Sequence, residues 1–296
     1  MSVKTSERQE KMMQITFRGT RVWRQLNTGF VDEHVRVVRE YVANIFFYTK
    51  NGKTIMIDAG YNYPRLKEKM SWLDIDPGDI SEILLTHIDT DHTGALEEGS
   101  EGLFKDAKIY LGEIENGYLT GERTRRVMYG LYALPKVVIP NEKVLLKDGE
   151  VFFIGDIKIE CILTPGHTIG HMVYLIDDKY LFTGDTIWLG IDGGYSFLST
   201  LAWSNKAAKE SLVKLENLLR ERNIAPIILT GHTGWTDDLD FAFAKKDKVC
   251  GIFTKRLPDP QAPYDAYDES DDTEENTRKG IPLPKKITLK DQPAAG

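Results

Sequence analysis

Cysteine is scarce in this sequence. Cys161 and Cys250 are the only two in 296 residues, which excludes a disulfide framework and a CxxC zinc knuckle. No run of about 18 apolar residues occurs, so no transmembrane helix is expected. The opening residues, MSVKTSERQEKMMQ, lack the apolar stretch of a secretory signal. Positive charge is not in excess either: 38 Lys and Arg against 45 Asp and Glu give a net charge of -7. That argues against nucleic acid as a partner, because affinity there comes mostly from phosphate neutralisation. No internal repeat stands out. The default expectation is a cytoplasmic chain with no membrane segment and a small-molecule rather than nucleic-acid partner, with homo-oligomerisation open. A hydrophobic content of 41% over this length suffices for a well-buried core.

Histidine is also sparse, with six residues, but its placement is informative. The stretch Ile83 to Leu96, ILLTHIDTDHTGAL, ends a buried strand and then sets His87, Asp89, Asp91 and His92 within six residues. Desolvating unpaired carboxylates costs several kcal/mol or more, roughly, and a divalent cation removes that cost. Three more strand ends follow the same grammar of apolar strand, glycine turn and metal-capable residue: CILTPGHTIGH at 161–171, LFTGD at 181–185 and IILTGH at 227–232. Five of the six histidines lie in these motifs and only His34 lies elsewhere. The seven ligand-type residues fit two adjacent metals. His87, Asp89 and His167 suit one, Asp91, His92 and His232 the other, and Asp185 bridges them. His171, four residues past His167, is expected to orient a ligand rather than to bind metal itself.

The motifs HxDxDH, PGHTxGH, TGD and GH, in that order, resemble the metallo-β-lactamase superfamily over roughly Ile15 to His232. The resemblance implies an αββα sandwich, two mixed β-sheets packed face to face with helices outside. One position departs from the commoner pattern HxHxDH: Asp89 stands where histidine is usual. Carboxylate oxygen is a harder ligand than imidazole, which shifts the expected metal from zinc toward iron or manganese. The pattern is also similar to that of diiron members such as the flavodiiron reductases, although no flavodoxin domain fits in the remainder of the chain.

The function expected from the resemblance is a metal-dependent hydrolase. Two divalent ions, zinc or else iron or manganese, would share a hydroxide that cleaves an ester, thioester, lactone or phosphoester. Asp91 would orient that hydroxide and handle its proton. The alternative is a diiron protein that binds or reduces dioxygen or nitric oxide. Tyr195 is a candidate for assisting substrate. Arg123, Arg125 and Arg126 read as a solvated charge run rather than as an anion site.

Along the chain, the pattern at 15–24 suggests an exposed strand, and 31–42 is ambiguous. A hairpin is expected at 44–49 and 54–58 around Asn51-Gly52, then helices at 63–72, 96–103 and 205–222. Short strands are expected at 108–111, 137–146, 150–154, 157–163, 172–176, 180–183 and 226–230. Residues 1–257 are taken as one catalytic domain, with 113–135 a helical lid or insertion. Residues 258–296 are taken as an acidic, disordered tail.

Overall fold

Strands β1 (Gly29–Phe30) and β2 (Val35–Glu40) lead into a hairpin of β3 (Ala43–Lys50) and β4 (Lys53–Ile57). In the computed structural model, residues 25–250 are described save 62, 98–99 and 191, together with 11 and 272–279. The hairpin turns at Asn51 and Gly52, whose φ values of 48° and 78° are those a two-residue turn of matching twist requires. The chain then crosses over through α1 (Tyr63–Trp72) to β5 (Glu82–Leu84). It passes the short α2 (Thr90–Thr93), β6 (Lys108–Gly112) and α3 (Asn116–Thr120). A ribbon of β7 (Arg126–Val127) and β8 (Tyr132–Ala133) precedes β9 (Lys143–Leu146). The first sheet has the order β1-β2-β3-β4-β5-β6-β9, antiparallel up to β4 and parallel beyond it.

The second half repeats the plan. Strands β10 (Val151–Ile154), β11 (Ile157–Leu163), β12 (Met172–Ile176) and β13 (Tyr180–Phe182) form a meander. Then β14 (Ile187–Gly190), β15 (Gly193–Ser196) and α4 (Asn205–Glu221) cross to β16 (Ile227–Leu229), which pairs in parallel with β13. Strand β17 (Trp235–Thr236) completes the second sheet. After α5 (Leu239–Phe243), β18 (Lys245–Val249) joins β14 and β15 in a small third sheet.

The two-residue period of a strand builds the layers. On β3, Phe46 and Tyr48 point between the two large sheets, while Ile45 and Phe47 pack outward with Leu66 and Met70 of α1. On β12, Met172, Tyr174 and Ile176 meet the first sheet, and Val173 and Leu175 meet Leu212, Leu215 and Leu219 of α4. Each such aliphatic side chain contributes about 1.5–3 kcal/mol when fully buried. Helix α4 starts at Ser204, whose hydroxyl accepts from the Ala207 N–H at 3.2 Å. The result is the αββα sandwich. Cys161 lies between the sheets, and burial pushes its thiol up to about 12.

Several elements differ from expectation. The ambiguous stretch 31–42 contains β2, whose residues are buried on both faces, so alternation is hidden. The helix expected at 96–103 is a single 3₁₀ turn, Gly94–Leu96, followed by turns. Glu101 and Gly102 take φ of 56° and 70° there, which a helix cannot continue through. The segment 113–135 holds only the five-residue α3, stopped by Gly121 at φ 89°, and then the β7–β8 ribbon. The strand expected at 15–24 lies outside the described residues, as do 258–271 and 280–296 of the acidic tail.

Residues 272–279 of that tail are described, and they are folded. Helix α6 (Glu274–Arg278) packs near α1. Asp272 is buried, accepting from Lys69 Nζ at 2.6 Å and from the Thr28 N–H at 2.5 Å. Truncation after 279 should leave the unfolding midpoint unchanged. Truncation after 271 removes the carboxylate beside the buried Lys69 ammonium and should cost on the order of 3 kcal/mol. Equal midpoints for the two truncations in urea would show that the docked helix contributes nothing.

Candidate metal centre

Five strands of the two sheets end at one edge of the sandwich, and each hands its side chain to the same point. Strand β4 ends at Asp58 and β5 leads through Thr86 to His87. Helix α2 carries Asp91 and His92 on its first turn, with Asp89 in the N-cap position. The loops after β11, β13 and β16 supply His167, Asp185 and His232. Gly94 makes this closure possible. Its N–H donates to Gly60 O at 2.6 Å, and a Cβ there would sit 2.3 Å from Tyr61 O.

Potential ligand atoms of His87, His167 and Asp185 lie within 4.8 Å of one another, and so do those of Asp91, His92 and His232. The two groups share a boundary at Asp185. Its Oδ1 is 3.3 Å from His92 Nε2 and 3.2 Å from His232 Nε2, and its Oδ2 is 3.5 Å from His167 Nε2. Six of the seven candidate ligands are thereby brought together: the second group is the one expected, and in the first Asp185 stands in place of Asp89.

The ring tautomers follow from the outer contacts. His232 Nδ1 is 2.6 Å from Val42 O, and a carbonyl only accepts, so that nitrogen carries the hydrogen. His92 Nδ1 donates to Asp58 Oδ2 at 2.8 Å. The two Nε2 atoms face each other at 3.3 Å, with Asp185 Oδ1 within 3.3 Å of both. Two lone pairs at that distance repel unless a proton or a cation lies between them. The protein alone answers with protons. Burial opposes charge on both rings, but Asp58, Asp91 and Asp185 outweigh it at His92, as Asp185 and Asp91 do at His232, and both are held above the usual histidine value. His87 is held well below it, by burial first and by His92 next. Among the described residues the buried His87 Nε2 has no hydrogen-bond partner. An orphaned nitrogen of this kind, in a mixed imidazole and carboxylate set, fits divalent cations.

Asp89 is placed differently from expectation. Arg125 Nε donates to its Oδ1 at 2.7 Å and Arg125 Nη2 to its Oδ2 at 2.8 Å, a two-pronged pair. Burial pushes the Asp89 carboxyl up, but the guanidinium and His167 prevail and hold it well below the usual range. The Asp89 Oδ2 still lies 3.0 Å from His167 Nε2, yet it is 3.9 Å from His87 Nε2. Arg125 is therefore not part of a solvated charge run. It is 4% exposed and also donates to Leu201 O at 2.8 Å and to Arg126 O at 3.0 Å.

His171 stays outside both groups, with its ring stacked on His87 at 5.0 Å. Its Nε2 accepts from the Asp185 N–H at 3.1 Å, and burial lowers its pKa to about 3, so it holds the Asp185 loop as a neutral acceptor. The Tyr195 hydroxyl donates to Asp192 at 2.8 Å and its ring packs against Trp188, which commits it away from the ligands.

Three contributors were not foreseen. Asp58 accepts from Thr86 N–H at 2.8 Å as well as from His92, and its strand-end sequence Asp58-Ala59-Gly60 repeats the grammar of the other motifs. Glu115 fastens two ligand loops together. It accepts from Ile88 N–H at 3.1 Å, Thr168 Oγ1 at 2.8 Å and Gly170 N–H at 3.1 Å. Burial raises its pKa to about 7. Nothing in the sequence marks it. Arg125, the third, looks no different in sequence from Arg123 and Arg126.

A family model described as the metallo-beta-lactamase superfamily matches residues 38–249. Among curated relatives, a probable polyketide biosynthesis zinc-dependent hydrolase, BaeB, of Bacillus velezensis is 34% identical over 45% of this chain and 49% of its own. A hydroxyacylglutathione hydrolase of Rhodopseudomonas palustris is 30% identical over 56% of this chain and 54% of its own. The chain thus spans about half the length of these relatives. Among solved structures, a β-lactamase from Chitinophaga pinensis superposes with a TM-score of 0.55 at 21% identity, covering 72% of this chain and 80% of that one. Family match, layered architecture and converging histidines agree, and the chain belongs to the metallo-β-lactamase superfamily.

Proposed function

We propose that the protein is a metal-dependent hydrolase of acyl bonds in small molecules, thioesters first among them. The observation that carries this reading is the convergence of His87, His167 and Asp185, and of Asp91, His92 and His232, into two adjoining groups whose candidate ligand atoms lie within 4.8 Å of one another. His87, His167 and Asp185 would hold one divalent ion and Asp91, His92 and His232 a second. Bound there, such ions act as Lewis acids and lower the pKa of water toward neutrality. With Asp89 engaged by Arg125, the remaining set is rich in imidazole, which favours zinc.

The chain's own residues do the rest. Asp91 is the most open carboxylate of the ligand groups, its side chain 16% exposed against 3% for Asp185. It is placed to take a proton from the attacking water and pass it to the leaving group. Phe197, stacked 5.1 Å from His232 and set edge-on 5.4 Å from His167, covers the cluster and keeps bulk water away. One relative named a zinc-dependent hydrolase supports metal-dependent hydrolysis in general, and one named a hydroxyacylglutathione hydrolase is the reason acyl bonds are put first. The diiron alternative drew on Asp89 as a hard ligand, and its pairing with Arg125 weighs against that role.

The test is elemental analysis of the purified protein together with a panel of thioesters, esters, lactones and phosphoesters. Thioester turnover should vanish on chelation and return with zinc. A fully metal-loaded protein inert toward every acyl substrate would overturn the proposal, as would turnover indifferent to chelation.

A further inference from the structure

A cavity of about 290 Å³ is lined by Tyr118, Arg123, Thr124, Arg126, Ile169 and Trp203 among others. It adjoins the ligand loops through the backbone. The Trp203 N–H donates to His167 O at 2.8 Å, and Ile169 lies two residues beyond His167. Arg125, between the two wall arginines in sequence, reaches Asp89. The segment thus sends one guanidinium to the ligands and presents two to the cavity.

These two cations are unusual for an acidic protein. Among the described residues neither Arg123 nor Arg126 lies in an ion pair, in contrast to the two-pronged pair made by Arg125. Arg126 donates from Nη1 to Gly130 O at 3.0 Å, which braces the ribbon turn and fixes where the rest of its fork points. Arg123 lies along α3, where a Cβ on Gly117 would come within 3.0 Å of its Nε. Trp203, half exposed, adds an aromatic face, and Tyr118 and Ile169 add apolar wall. Two planar forks over a partly apolar cavity are the chemistry that recognises a carboxylate or phosphate on a short apolar arm.

We infer that this cavity holds the non-reacting end of the substrate, and that this end carries an anionic group. The class is an acyl compound with a carboxylate or phosphate a few atoms from the scissile bond. The identification as substrate end rests on the hydrolase reading; the anion site itself does not.

The experiment uses the zinc-loaded full chain and has two arms. In the first, calorimetry measures binding of 4-phenylbutyrate, 4-phenylbutyl phosphate and 4-phenylbutyramide. At least one anion should bind about tenfold or more tightly than the amide, and the stronger one decides between carboxylate and phosphate. Arg123→Ala with Arg126→Ala should erase that preference, and Arg123→Lys with Arg126→Lys should retain part of it, which separates charge from folding. In the second arm, S-acetyl-3-mercaptopropionate is compared with its amide, and the acid should show the lower KM. Amide and anions binding alike would overturn the inference. So would an anion preference that survives the double alanine variant, since the anion then sits on the metal. If no thioester turns over while the arginine-dependent preference persists, the hydrolase reading falls and the anion site stands. If both thioesters turn over with equal KM, the hydrolase reading stands and the inference that the cavity holds the substrate's end falls.

Discussion

Changing Asp91 to asparagine lowers hydrolytic turnover by roughly 10²–10⁴-fold and leaves the unfolding midpoint nearly where it was. Asparagine keeps the volume and one oxygen, so contacts with His232 Nε2 at 3.3 Å and His92 Nε2 at 3.7 Å have a successor. It cannot take up a proton, and that is the capacity the proposed reaction needs. Asp91 is also a ligand candidate, so metal content has to be read on the same sample. Unchanged turnover at equal metal content would remove Asp91 from the chemistry. A collapse of the fold would instead show that its carboxylate is chiefly structural.

The second large effect is expected at Arg125. Arg125→Ala leaves Asp89 buried without its guanidinium, and breaking such a pair from one side costs about 3–5 kcal/mol. Asp89→His alone is also expected to be costly, because it buries Arg125 among imidazoles. The two changes together should be milder than either alone, because carboxylate and guanidinium jointly carry no net charge, as a neutral imidazole does. A double variant whose loss equals the sum of the single losses would show that the pair is not coupled. The pH dependence has a definite sign. The Asp89 carboxyl is held below its unfolded value of 3.8, so the pair stabilises the fold above that value. This stabilisation is lost as pH falls through the depressed folded value, so wild type and Arg125→Ala should converge in acid.

The cluster of candidate ligands could be read from the sequence because strand ends and glycine turns are short-range features, and five histidines fall on them. Hairpins and α4 were legible for the same reason, since turn chemistry and helical period are local. What escaped depends on long-range contact. Arg125 reaches Asp89 across 36 positions, while Arg123 and Arg126, in the same local composition, turn elsewhere. Glu115 meets Thr168 across 53 positions, and no spacing encodes that. The acidic composition of 259–279 suggested a chain too polar to fold alone. Asp272 nevertheless finds Lys69 and Thr28, more than 200 residues away.

That last contact brings two remote parts of the described fold together. Thr277 Oγ1 donates to Thr28 O at 3.1 Å, so the beginning and the end of the described fold touch. A permuted gene could join them with a brief linker and open instead at the Gly149 turn between β9 and β10, where φ is 76° and a Cβ would meet nothing within 4 Å. The two half-sandwiches would then be synthesised in reverse order, and the histidines of each would still arrive at the shared edge.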